Sequence, residues 1–226
     1  MKDKLIFGQM RLKINERHGT VKFLSYMISK GLRNFHSSVE YENFNFFVGC
    51  LEEAIDKNDI DPRSINHTVK LGSPSFGEKK IDEDRIEEII NTYLIKLKVK
   101  TLHEIQWMLR FDLKNEVTRI YILKKYANNL NSLIKKLKKE KKVDKFGCFP
   151  YTQSFAVEAL KLINLDFIID YCNIVEFDDF SHNEKLLNDN QYMIAIRPFY
   201  GGKLIKLGYL PKQALSFLDK FKKIRK

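Results

Sequence analysis

Short β-type runs alternate with amphipathic stretches along the whole chain. Seven runs read as strands, being short, rich in aromatic and aliphatic residues and flanked by polar or turn-forming ones. They are Leu5–Met10, Arg33–Ser38, Ile65–Lys70, Leu102–Met108, Asp144–Phe149, Phe167–Asn173 and Tyr192–Arg197. Apolar residues at helical spacing predict helices over Thr20–Lys30, Asn43–Lys57, Asp82–Leu97, Glu116–Glu140 and Gln153–Leu162, with a weaker pattern at Glu184–Asn188. Asp82 is placed to cap the third helix, and Gly31 to close the first.

Strict alternation implies parallel strands joined by right-handed crossovers. A doubly wound sheet would carry a GxGxxG turn after its first strand, but that place holds GQMRLKIN. The alternative is a (β/α)8 barrel of the TIM type. Polar residues stand where predicted strands give way to loops: His36, Ser37, Lys70, Arg110, Asn173 and Arg197. Barrels assemble their active sites from those strand ends. The expectation is therefore one α/β barrel domain over residues 1–226, incomplete with seven βα units, because Pro211–Lys223 reads as a helix with no strand after it. A closed barrel usually takes about 250 residues; 226 is about one βα unit short. Two open edges then follow, LIFGQM and YMIAIR, which predict an oligomer or a partner covering the gap.

Composition narrows the class. With 44% apolar residues, 17 Phe and 10 Tyr, the chain has the burial that disordered sequences lack. No apolar run reaches the roughly 18 residues of a spanning helix, and MKDKLIFGQMRL lacks a signal-peptide core. A cytoplasmic protein away from membranes is expected. The 40 Lys and Arg exceed the 29 Asp and Glu, but the excess is mostly Lys on amphipathic helix faces, as at Lys135–Lys142 beside Leu133, Ile134 and Leu137. No nucleic-acid partner is expected. Cys50, Cys148 and Cys172 lie far apart, and the five histidines stand singly, so neither a disulfide framework nor a metal site is expected.

Four segments, in order, carry a family resemblance. GLRNFHSSVEYENFNFFVGCLEEAI is similar to the GxNFxDTAxxYGxxExxLGxAL signature of the aldo/keto reductases, and INHTVK to the strand that their active-site lysine closes. LIKKLKKEKKVDKFGCFPYT resembles LxxLxxxGKVRxIGVSN, and MIAIRPFYGGKL resembles VxAxxPLxGGxL. The resemblance implies reduction of an aldehyde or ketone by NADP(H) or NAD(H), with a small-molecule carbonyl substrate. Carried over by position, Tyr41 is the proton donor and Lys70 the neighbour whose charge favours its phenolate.

Two positions depart from the pattern. The family aspartate falls on His36, which cannot serve Lys70 as a fixed anion. The family histidine falls on Met108, with Trp107 next to it if the alignment shifts by one, and Met cannot donate a hydrogen bond. Trp107, Met108 and Arg110 are the expected substrate-pocket residues. Arg197, Phe199, Gly201 and Gly202 are the expected cofactor contacts, Arg197 as a platform for the nicotinamide. The family's Ser-Asn pair after the fifth strand is replaced by Phe149 and Pro150. Half of the tetrad is thus retained, which predicts weak or altered activity. The alternative is a non-catalytic barrel acting as a binding or interaction module.

Overall fold

The computed structural model describes residues 5–78, 80–173 and 175–200. Seven parallel strands form one curled sheet in chain order: β1 (Ile6–Gly8), β2 (Asn34–Ser37), β3 (Asn66–Gly72), β4 (Leu102–Met108), β5 (Val143–Cys148), β6 (Phe167–Tyr171) and β7 (Tyr192–Ile196). The crossovers carry α1 (Arg17–Ser29), α2 (Phe44–Lys57), α3 (Glu83–Leu97), α4 (Glu116–Lys139), α5 (Gln153–Leu162) and α6 (Asp178–Glu184). This is an incomplete (β/α)8 barrel, with β1 and β7 as its edges among the described residues. The helix expected at Pro211–Lys223 lies outside those residues.

Alternation along each strand separates two environments. Outward residues such as Val69, Ile105, Trp107, Phe146, Cys148 and Ile168 are sealed beneath α3, α4 and α5. α3 shows why its sequence folds there. Ile86, Ile90, Tyr93 and Leu97 share one buried stripe, and each full burial stabilises by about 1.5–3 kcal/mol. Its first N–H groups are served by Asp82, whose side chain accepts from Arg85 N. Gly31 stands one residue past the C-cap Lys30 of α1, at φ +93°, a conformation that favours glycine.

The opposite, concave face divides in two. β2, β3 and β4 contribute polar side chains: His36 to Gln106, and Thr68 to Glu104. β6 and β7, with the residue following β5, contribute the apolar cluster of Phe149, Phe167, Ile169, Ile194 and Ile196. The Tyr192 hydroxyl crosses from β7 to donate to Glu104 on β4 at 2.7 Å. Phe167 lies flat over β5 because Gly147 has no Cβ; one built there would collide with the ring.

One predicted helix was misplaced. The apolar pair Leu186–Leu187 suggested Glu184–Asn188, whereas α6 runs over Asp178–Glu184. Its buried contact is polar, Asn183 donating to Asp170 at 2.7 Å, so apolar periodicity could not reveal it. Two acidic residues in its first turn favour the helix electrostatically. Among the described residues, no helix is long and apolar enough to cross a membrane.

Candidate active site

The C-terminal ends of β2, β3 and β4 open onto one rim, and the loop from β2 to α2 folds over it. Backbone bonds shape that loop: Tyr41 N donates to Ser38 O at 3.1 Å and Phe44 N to Tyr41 O at 2.9 Å. Tyr93 of α3 then ties it to β3. Its hydroxyl accepts from Val39 N at 2.9 Å and donates to Lys70 O at 2.6 Å. The loop bearing Tyr41 and the strand bearing Lys70 are therefore joined through one oxygen atom.

This arrangement brings Tyr41 and Lys70 together, with His36 on the neighbouring strand. Lys70 Nζ sits 5.0 Å from the Tyr41 ring centroid, over the ring rather than beside its oxygen. His36 Nε2 is 2.7 Å from Gln106 Oε1, on the strand flanking Lys70. Burial lowers the His36 pKa to about 4, with Lys70 adding to the fall, so the ring is neutral at pH 7.

The sequence reading missed Glu40. Its carboxylate takes both arms of Arg110, at 2.8 Å each, and lies 3.5 Å from Lys70 Nζ. The Arg110 side chain is only 5% exposed and that of Lys70 17%. The guanidinium also lies 5.2 Å from the Phe76 ring and 3.5 Å from Met108 Sδ. Gly72 makes room for the pair, since a Cβ there would stand 2.8 Å from Arg110 Nη1 and 2.9 Å from Glu40 Oε1. The available signal was the position of Glu40, next to Tyr41 in a loop opening on the Lys70 rim.

The electrostatics correct one expectation. The Tyr41 phenol is raised above its ordinary value of 10, first by burial and then by the charge of Glu40, while Arg110 pulls it down. Lys70 is lowered by burial and by Arg110, with Glu40 opposing the fall. At rest the site therefore holds a protonated phenol.

The expected pocket residues separate. Met108 joins the concave cluster of Phe149, Phe167 and Ile169, whereas Trp107 is fully buried on the outer face, donating to Ser73 O at 2.7 Å and packed near Phe146 and Phe155. Period-two alternation places the two neighbours on opposite sides, so Trp107 does not line the concave face. Arg110 reaches the rim, but its fork is occupied by Glu40.

On the far rim, Arg197 follows β7 at φ +55° and its guanidinium lies 4.4 Å over the Tyr171 ring. Tyr171 packs edge-on against Phe149, as does Tyr151. Phe199 is exposed. Gly201 and Gly202 lie outside the described residues. The exposed cation stacked on a flat ring, with an aromatic wall behind it, fits the nicotinamide end of a dinucleotide. Among the described residues, no group of three His, Cys, Asp or Glu side chains could hold a metal ion.

No protein-family model matches the sequence, and no curated protein does. Solved structures do. An aldo/keto reductase from Klebsiella pneumoniae in complex with NADP and acetate superposes with a TM-score of 0.64 at 13% identity, over 87% of this chain and 65% of that one. The aldose reductase from Schistosoma japonicum gives 0.63 at 13% identity, with the same coverage. An aldo-keto reductase from Bacillus halodurans, in its holo form, gives 0.54 at 16%, over 74% of this chain and 52% of that one. The chain thus spans less than two thirds of the length of each, and it has the fold of aldo/keto reductases.

Proposed function

We propose that this chain reduces a small aldehyde or ketone with NADPH or NADH, Tyr41 donating the proton to the carbonyl oxygen. The observation that supports this reading most directly is the Tyr41–Lys70 pair, 5.0 Å apart at the C-terminal rim of a barrel-type sheet. A bound nicotinamide would supply the hydride. Arg197 and Tyr171 would hold its flat ring, with Phe149 closing the side.

Tyr41 suits reduction. An alkoxide is far more basic than a phenolate, so proton transfer from the phenol runs downhill even with its pKa above 10. Lys70, over the ring, then stabilises the negative charge left on Tyr41. Oxidation of an alcohol would need the phenolate at the outset, which burial and Glu40 disfavour. Reduction should therefore dominate at neutral pH.

Calorimetric titration with NADPH and NADH, followed by nicotinamide oxidation over a panel of aldehydes and ketones, tests the reading. Tyr41→Phe should abolish turnover and leave nucleotide affinity within about twofold. Turnover unchanged in Tyr41→Phe removes the assignment of Tyr41. Absence of nucleotide binding removes the reductase reading and favours a non-catalytic binding barrel, for which Met108, in place of a hydrogen-bond donor, already speaks.

A further inference from the structure

Lys70 is a partly buried ammonium whose nearest strand-borne neighbours give it no anion: His36 is neutral, and the Gln106 oxygen is engaged by His36. A cation drawn out of water without a partner holds its proton less firmly. Glu40 is the carboxylate that reaches it, from the turn rather than the sheet. Four contacts fix the carboxylate and its turn. Arg110 clamps both oxygens, Gly72 leaves space for the clamp, Ser38 Oγ accepts from Glu40 N at 3.2 Å, and Tyr93 bolts the preceding residue to β3.

We propose that Glu40 is the positioning residue of this site, a carboxylate clamped by Arg110 that holds the Lys70 ammonium over the Tyr41 ring and supplies the negative charge that His36 cannot. The proposal rests on the reductase reading for its catalytic consequence, but not for its geometry. Glu40 acts through Lys70, and the reacting oxygen belongs to Tyr41. Without Glu40, Lys70 faces Arg110 as a bare like charge at partial burial, so it should shed its proton at lower pH.

The test reads Lys70 directly. Lysines are reductively methylated with ¹³C-formaldehyde, the Lys70 resonance is assigned by its loss in Lys70→Arg, and its titration is followed without nucleotide or substrate. Glu40→Gln, which keeps the shape and removes the charge, should lower the Lys70 pKa by about one pH unit or more, a tenfold loss of proton affinity. Gly72→Ala should move it in the same direction, because the new Cβ meets the mobile ends of Arg110 and Glu40 rather than backbone. Adding His36→Asp to Glu40→Gln should restore the titration by returning an anion to the neighbourhood of Lys70.

An unchanged Lys70 titration in Glu40→Gln, with the fold intact by circular dichroism, overturns the proposal. So does a shift that His36→Asp leaves uncorrected. In turnover assays the alkaline limb of kcat should fall at lower pH in Glu40→Gln while nucleotide affinity holds; a change in nucleotide affinity alone would assign Glu40 to binding and overturn the positioning role. A Lys70 shift in a protein that neither binds nucleotide nor turns over would retain the anchoring role and remove the reductase reading, so the two fail separately.

Discussion

Tyr93→Phe removes one oxygen atom from the junction between the β2–α2 loop and β3. The ring would keep its edge-on contact with Phe44, at 5.8 Å between centroids, so no cavity opens and the change isolates hydrogen bonding. Two bonds go: the one from Val39 N, at 2.9 Å, and the one to Lys70 O, at 2.6 Å. At about 0.5–1.5 kcal/mol net for each, with Val39 N left unpaired, the loss should be about 2 kcal/mol. For a domain of this size that corresponds to a fall in Tm of roughly 4–8 °C. Thermal and urea denaturation followed by far-UV circular dichroism would measure it. A fall of less than about 0.5 kcal/mol, the range of ordinary surface substitutions, would refute the view that this hydroxyl ties the loop down. The expected loss of stability with unchanged Lys70 titration would show that the tie is structural only.

Three further outcomes follow from the same geometry. Gly147→Ala should destabilise by about 1–3 kcal/mol in urea unfolding, because its Cβ would enter the Phe167 ring within a packed layer. His67 is 4% exposed on the outer face of β3, its Nδ1 has no partner, and burial lowers its pKa to about 4. The unfolded chain therefore binds the extra proton more readily, so stability is complete above about pH 6.5 and falls on acidification towards pH 4. At about 1.4 kcal/mol per pH unit the His67 share approaches about 3 kcal/mol, with His36 adding a similar share over the same range, so His67→Leu should remove about half of the fall. Reduction should exceed alcohol oxidation at pH 7, with oxidation rising at alkaline pH as the Tyr41 phenol ionises, a contrast that initial rates in both directions would measure.

Much of the fold could be read from the chain because the central strands bury apolar outward residues beneath helices that carry apolar stripes of their own. β4 and α5 occupy their predicted spans, and the ends of β1 and β6 shorten where residues such as Met10 and Asn173 enter loops. α6 escaped because its buried contact is an amide, Asn183, rather than an aliphatic side chain. The site was legible where it follows strand alternation: Lys70 and Met108 reach the concave side as their parity requires, and parity equally removes Trp107. Glu40 was not legible, because a loop glutamate has no periodicity to place it. Its role comes from tertiary contacts with Arg110, 70 residues further along the chain, and with Gly72, where only the missing Cβ reveals the fit.

On the reductase reading His36 and Met108 are each a loss, and the proposed role of Glu40 compensates the first. Lys70 and Arg110 are cationic, Glu40 anionic, and His36 and Tyr41 neutral at pH 7, which leaves one net positive charge around the phenol. A carboxylate at position 36 in addition to Glu40 would cancel that charge before any reaction. With neutral His36, the cluster reaches neutrality only when Tyr41 has given up its proton. On the reductase reading, that net positive charge offsets part of the cost that burial and Glu40 set against the phenolate left by proton donation. Met108 has no such compensation: the Sδ atom that faces Arg110 cannot donate a hydrogen bond, so on the reductase reading a substrate would have to be oriented by shape and by Tyr41.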